Sequence, residues 1–150
     1  MVDSRDKGAR AETTMRDALR KLTDLKWERV PSSGALNEKH QLKGDLYVPG
    51  EKNLFVVECK HYQDDHLTSQ VLTGKNPQLL EWWKQAVRQG VQVSKKPLLI
   101  FKFDRSKLFV AFEDVPSSNY RHMLVSVDNH EFFVAILSDY ITFEQPKFIA

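Results

Sequence analysis

An α/β domain, with a mixed sheet of about five strands flanked by helices, is the architecture this sequence of 150 residues predicts. Apolar residues recur at helical spacing in residues 7–25 and again in residues 76–90. Short apolar runs of strand length, chiefly 54–60 and 97–103, lie between and after those segments. Clusters of Pro, Gly, Asn, Asp and Ser separate the runs, where a sheet needs turns.

Taken in order, Met15, Ala18, Leu19, Leu22 and Leu25 form one stripe, which predicts a helix with that face on the core. Residues 27–30 predict a short strand. Pro31-Ser32-Ser33-Gly34-Ala35 breaks it, and a polar loop carrying Lys39, His40 and Lys43 runs to Gly44. Loops short of apolar anchors often carry binding residues. Asp45-Leu46-Tyr47-Val48 and residues 54–60 predict a hairpin across Pro49-Gly50-Glu51-Lys52-Asn53. Residues 61–75 are polar and predict irregular chain. Asn76 as cap and Pro77 in the first turn open a second helix, and Gly90 ends it. Leu79, Leu80, Trp83, Ala86 and Val87 are its core stripe, with Trp82 beside the stripe and partly exposed. Residues 97–103 predict a strongly apolar strand paired with 107–112. Residues 122–127 and 131–137 flank Asp128-Asn129-His130. A hairpin fits them, and a helix remains open for the second run.

Composition excludes several classes. Apolar content of 41% and charged content of 28% are those of an ordinary globule, read here as one domain over residues 1–150. No apolar run approaches the roughly 20 residues of a membrane span. No secretory pattern precedes the first amphipathic segment, so the expectation is that the chain stays in the cytoplasm where it is made. The lone Cys59 excludes an internal disulfide and reads as a packing residue on a core strand. A net charge of +2 does not by itself demand nucleic acid. Basic residues nevertheless group locally: Arg5, Lys7 and Arg10; Lys39, His40 and Lys43; Lys60 and His61; Lys84 and Arg88. These groups are expected beside a carboxylate cluster.

The cluster follows from the hairpin. Folding it brings Asp45 to Glu58, while alternation along the strand puts Glu58 and Lys60 on one face and Cys59 on the other. Two carboxylates at a sheet edge can hold a hard cation such as Mg²⁺. A lysine beside them can act on water or steady a developing negative charge. Those are the parts of metal-assisted phosphodiester hydrolysis, although Glu-x-Lys is also common as a charge-paired strand end. Glu12 falls on the apolar face near the start of the first helix, where a charge needs a partner. Either a structural ion pair or a third carboxylate at the same site satisfies that need.

The order of elements resembles the PD-(D/E)XK nuclease superfamily, whose core is a helix, a three-stranded meander with the metal site, a helix and further strands. A nearer similarity is to the archaeal-type Holliday junction resolvases. Lys7-Gly8-Ala9-Arg10-Ala11-Glu12 resembles that family's Lys-Gly-x-x-x-Glu opening. Arg29-Val30-Pro31-Ser32-Ser33-Gly34 is similar to its Arg-x-x-x-Ser-Gly segment. Gly44-Asp45-Leu46-Tyr47-Val48 resembles the metal-binding aspartate strand, and Val57-Glu58-Cys59-Lys60 the Glu-x-Lys strand. The likeness spans about residues 7 to 100. Gly44 replaces the superfamily's namesake proline, the loop over residues 35–43 is longer, and the last third is richer in aromatic strands than the resolvases imply.

The resemblance implies a restriction-endonuclease-like fold and a metal-dependent, structure-selective DNA endonuclease of recombination and repair. Such an enzyme, phage-encoded or otherwise divergent, makes paired nicks near the branch point of four-way junctions. Asp45, Glu58, the Cys59 carbonyl and Glu12 would be the metal set for Mg²⁺, with Mn²⁺ as a substitute. Glu12, Asp45, Glu58 and Lys60 would be the catalytic residues. Ser33 and Ser32 would position the scissile phosphate, and Lys7, Arg10, Arg29 and Lys43 would contact the DNA backbone. Products would carry 5′-phosphate and 3′-hydroxyl ends. A homodimer would supply two sites, with exposed parts of Trp82 and the C-terminal aromatics as surfaces for it. A restriction-like or sequence-tolerant endonuclease on duplex or single-stranded DNA is the alternative within nucleases. A non-catalytic nucleic-acid-binding domain on the same fold is the alternative from another class.

Overall fold

The structure is a computed structural model that describes residues 4–31 and 42–150, with side chains from residue 8 onward. Its strands are β1 (Glu28–Arg29), β2 (Leu46–Tyr47), β3 (Phe55–Tyr62), β4 (Lys96–Phe103), β5 (Phe109–Phe112), β6 (Met123–Val127) and β7 (His130–Ile136). Its main helices are α1 (Ser4–Thr23), α2 (Gln70–Thr73) and α3 (Gln78–Val93). The strands make one seven-stranded sheet in the order β1-β2-β3-β4-β5-β7-β6. β3 and β4 are parallel, joined through α3, and the other neighbours are antiparallel.

Each face of the sheet carries its own core. On one face Met15 and Leu19 of α1 meet Trp27, Val57, Cys59, Leu98, Ile100 and Phe148. On the other, Leu79, Leu80, Trp82 and Trp83 of α3 meet Leu99, Phe101, Ala111 and Phe132. Alternate residues of β4 thus enter opposite cores, which is why its sequence is apolar without a break.

Several expectations change. The sheet has seven strands where about five were predicted, because both C-terminal runs join it as β6 and β7, while the predicted first two strands are only two residues each. The run left open between strand and helix is β7, held to β6 by a tight turn with Asp128 at φ 50° and Asn129 at φ 65°. Only after Ile136 does the chain turn helical, over Leu137–Asp139 and Tyr140–Glu144. Gly90 does not end α3. The helix runs to Val93 and stops at Ser94, which takes the left-handed conformation. Gly90 is needed for another reason: a Cβ there would lie 2.6 Å from the Lys95 carbonyl oxygen. Asn76 makes no cap, since Pro77 precedes the first helical residue and no side chain caps that end. Trp82 is only 3% exposed, so it offers no dimer surface. β3 continues to Tyr62, into chain expected to be irregular, and α2 adds a helical turn there. Among the described residues no helix is long and apolar enough to cross a membrane.

Candidate active site

The hairpin delivers its carboxylate through two unusual local features. Asn53, buried in the turn, binds both main-chain groups of Val48: its Oδ1 accepts from Val48 N–H at 2.7 Å and its Nδ2 donates to Val48 O at 2.9 Å. That clamp sets the register of Leu46 opposite Val57. At the other end Gly44 sits at φ +83°, where a Cβ would lie 2.7 Å from the Val57 carbonyl oxygen. Its N–H donates to Gln89 Oε1 of α3 at 2.9 Å. Proline, fixed near φ −65° and lacking N–H, meets neither condition. The missing namesake proline is therefore a requirement of this backbone.

Asp45 follows directly, just before β2 instead of within it. Its main chain is tied on both sides, donating to Val57 O at 2.7 Å and accepting from Val30 N–H at 2.9 Å. Its side-chain Oδ2 accepts from the Cys59 amide at 2.7 Å. In a strand the N–H and C=O of one residue point to the same side, so the Cys59 carbonyl points to this same edge of β3, past the end of β2. The Cys59 side chain is buried in the α1 core, which pushes its thiol well above the ordinary value. It packs the core, as the sequence predicts.

Glu58 opposes Leu99 in the sheet, on the α3 face, and is 3% exposed. Its Oε1 is buried without a hydrogen-bond partner among the described residues. Burial first, and the neighbouring Asp45 second, raise its pKa to about 8, against the opposing pull of Lys60. Lys60 is half-buried on the same face.

Glu12 answers both halves of its question. Arg29 Nε donates to Glu12 Oε2 at 2.8 Å, so the structural pair exists. The same carboxyl also feels Asp45: its pKa is raised by burial and by Asp45, more than Arg29 lowers it. Glu12 thus lies beside Asp45 while its other partner is Arg29. Among the described residues no three His, Cys, Asp or Glu side chains form a ready-made cation cage. What the edge offers is two adjacent carboxylates, a main-chain carbonyl and a third acid in reserve. An all-oxygen set suits a hard cation. Burial first and the adjacent Asp45 carboxylate second keep the Glu58 carboxyl above its ordinary range, so two acids crowd one edge of the sheet.

Arg10 and Lys43 are exposed. Arg10 lines a cleft of about 430 Å³ with Ala11, Thr14, Met15, His61, Lys102 and Asp104, where His61 Nε2 lies 2.9 Å from Asp104 Oδ1. A larger cleft of about 750 Å³ lies at the turn around Pro49 and Val93, and none of the four predicted catalytic residues lines it. Lys7 lies in α1, but its side chain is outside the described set. Ser32, Ser33, Lys39 and His40 lie outside the described residues. Sequence reasoning missed Gln89 and Asn53, whose roles depend on which main-chain groups the fold brings to them.

Comparison with known proteins shows the family. A family model described as "Phage putative PDDEXK endonuclease" matches residues 3–144. Protein D14 of Escherichia phage T5 is 45% identical over 115 residues, covering 75% of this chain and 72% of that protein. Members of the PD-(D/E)XK superfamily are nucleases that generally use divalent metals such as Mg²⁺. With a match over nearly its whole length, the chain belongs to this phage PDDEXK endonuclease family.

Proposed function

We propose that this nuclease is a Mg²⁺-dependent, structure-selective DNA endonuclease that works as a homodimer and makes paired nicks near the branch point of four-way junctions. The observation that carries the metal site is the meeting of Asp45 with the buried Glu58, whose Oε1 has no hydrogen-bond partner among the described residues, beside Lys60 at one sheet edge. Asp45, Glu58 and the Cys59 carbonyl would hold the ion, with Glu12 completing the acidic site. When bound, Mg²⁺ (or Mn²⁺) polarises the scissile phosphate and offsets the charge that develops on it.

The protein's own groups do the rest. Lys60 orients the attacking water and steadies the negative charge of the transition state. Water oxygen bonds to phosphorus as the bond from phosphorus to the 3′ oxygen breaks, leaving a 5′-phosphate and a 3′-hydroxyl. Arg29 holds Glu12 in position and, with Arg10, Lys7 and Lys43, contributes charge for the DNA backbone. Ser33 and Ser32 are proposed to hold the scissile phosphate on the strength of the resolvase-like segment alone. Junction selectivity rests on that segment and on Lys-Gly-x-x-x-Glu, in which Glu12 and Arg29 prove to be paired partners.

The deciding experiment is cleavage of matched four-way junction, duplex, flap and single-stranded DNAs with Mg²⁺. Paired symmetric cuts on the junction and little cutting of duplex are expected. Equal cutting of duplex would remove the junction reading and leave a sequence-tolerant endonuclease.

A further inference from the structure

We infer that Tyr62 is a stacking platform for an unstacked nucleobase beside the scissile phosphate, a reading that rests on the assignment of Glu58 and Lys60 above. Side chains alternate along β3, so Tyr62 shares the face of Glu58 and Lys60. It follows Lys60 by one pleat repeat, about 6.6 Å, which is within the reach of a single nucleotide. Tyr62 is 42% exposed at the end of a strand whose middle is buried.

The ring is also firmly backed. Trp82, itself 3% exposed, lies beneath it with centroids 4.9 Å apart and planes tilted by 36°. His66 meets it edge-on at 5.6 Å, and Trp82 rests in turn on Phe101 at 6.2 Å. One side of the Tyr62 ring is therefore packed, and what remains exposed lies just beyond Lys60. A pre-ordered aromatic loses little freedom when a flat ligand covers it, and every base has a face to offer, so such a platform is tolerant of sequence. A continuous duplex keeps its bases stacked on each other. A branch point, bulge or single strand releases them. The chemical class selected is DNA whose stack is interrupted at the cut.

The test is a cycle of binding constants measured in Ca²⁺. The probes are a fixed four-way junction and a single-stranded oligonucleotide, each with one abasic residue stepped across the mapped cleavage site. Tyr62→Ala should weaken binding of intact DNA by about 10- to 100-fold, the loss of one stacked base. At one abasic position, and only there, the same substitution should cost nothing further. Tyr62→Phe should bind like the wild type, and an unchanged Tm of Tyr62→Ala would exclude a folding defect. Equal losses at every abasic position, or no loss at all, would overturn the platform while Mg²⁺-dependent cleavage still upheld the nuclease site. If the wild-type protein bound and cut neither DNA, the nuclease reading itself would fall.

Discussion

Glu58 is an acid that the fold keeps from water and leaves half-satisfied. Because burial and Asp45 raise its pKa from 4.5 to about 8, the metal-free native state holds a proton there that the unfolded chain releases. The native state then binds more protons within that window, so metal-free stability falls as pH rises from about 4.5 to about 8. Glu58→Gln removes that loss. Its Tm should gain on the wild type as pH rises through the window, read by thermal melts with a chelator present; a constant difference would contradict the raised pKa. The same variant, and Asp45→Asn, should lose on the order of 10³-fold or more in cleavage while remaining folded. Near-normal cutting by either would remove the ligand assignment. Lys60→Ala should lose cleavage in Mg²⁺ yet keep most of its junction binding in Ca²⁺, since one charge contributes little to an affinity shared among many phosphate contacts. Loss of binding with normal cutting of the bound fraction would make Lys60 a positioning residue.

At the scale of elements, the site depends on two short strands being exact in register. Gly44 lets β2 approach β3 while its N–H reaches Gln89 of α3. Gly44→Ala places a Cβ against main chain at positive φ and should cost roughly 2 kcal/mol or more. Activity should fall with it, because Asp45 is the next residue; a wild-type Tm would show that the backbone can yield. α1 is joined to β1 by the Glu12–Arg29 pair. The effects raising the Glu12 pKa outweigh Arg29, so Glu12→Gln should leave the Tm similar or higher while slowing cleavage. A lower Tm with full activity per folded molecule would make Glu12 structural only.

For the whole molecule, the proposed pair of cuts requires two sites, and the edge strand β6 is where the proposed second copy would dock. This edge strand carries no Pro, Gly or charge, the devices that usually protect an edge, and Met123 and Leu124 are 45% and 56% exposed. Two-fold antiparallel pairing about Val125 would set Leu124 opposite Ser126 and His122 opposite Asp128, which can hydrogen-bond at the strand ends. In a two-residue hairpin Val127 and His130 exchange hydrogen bonds, so alternation turns the N–H of Ser126 outward. Ser126→Pro should therefore spare the internal ladder and give a monomer by sedimentation. The monomer should nick junctions singly. A dimer that survives Ser126→Pro and Leu124→Lys would place the interface elsewhere.

Much of this protein is local and therefore legible in its sequence. Helical spacing in α1 and α3, alternation in β3 and the turn chemistry around Pro49 and Asp128 need only near neighbours. With them came Asp45, Glu58 and Lys60 on one hairpin. Tertiary structure decided what depends on distant chain: that β3 and β4 run parallel, that Gly90 serves a close approach to Lys95 and not a helix end, and that Trp82 is covered. It also decided that Glu12 is at once an ion-pair partner of Arg29 and a neighbour of Asp45. Spacing along a helix can say which face a carboxyl shares, but only packing between layers sets its burial and its charged neighbours, and those govern its chemistry.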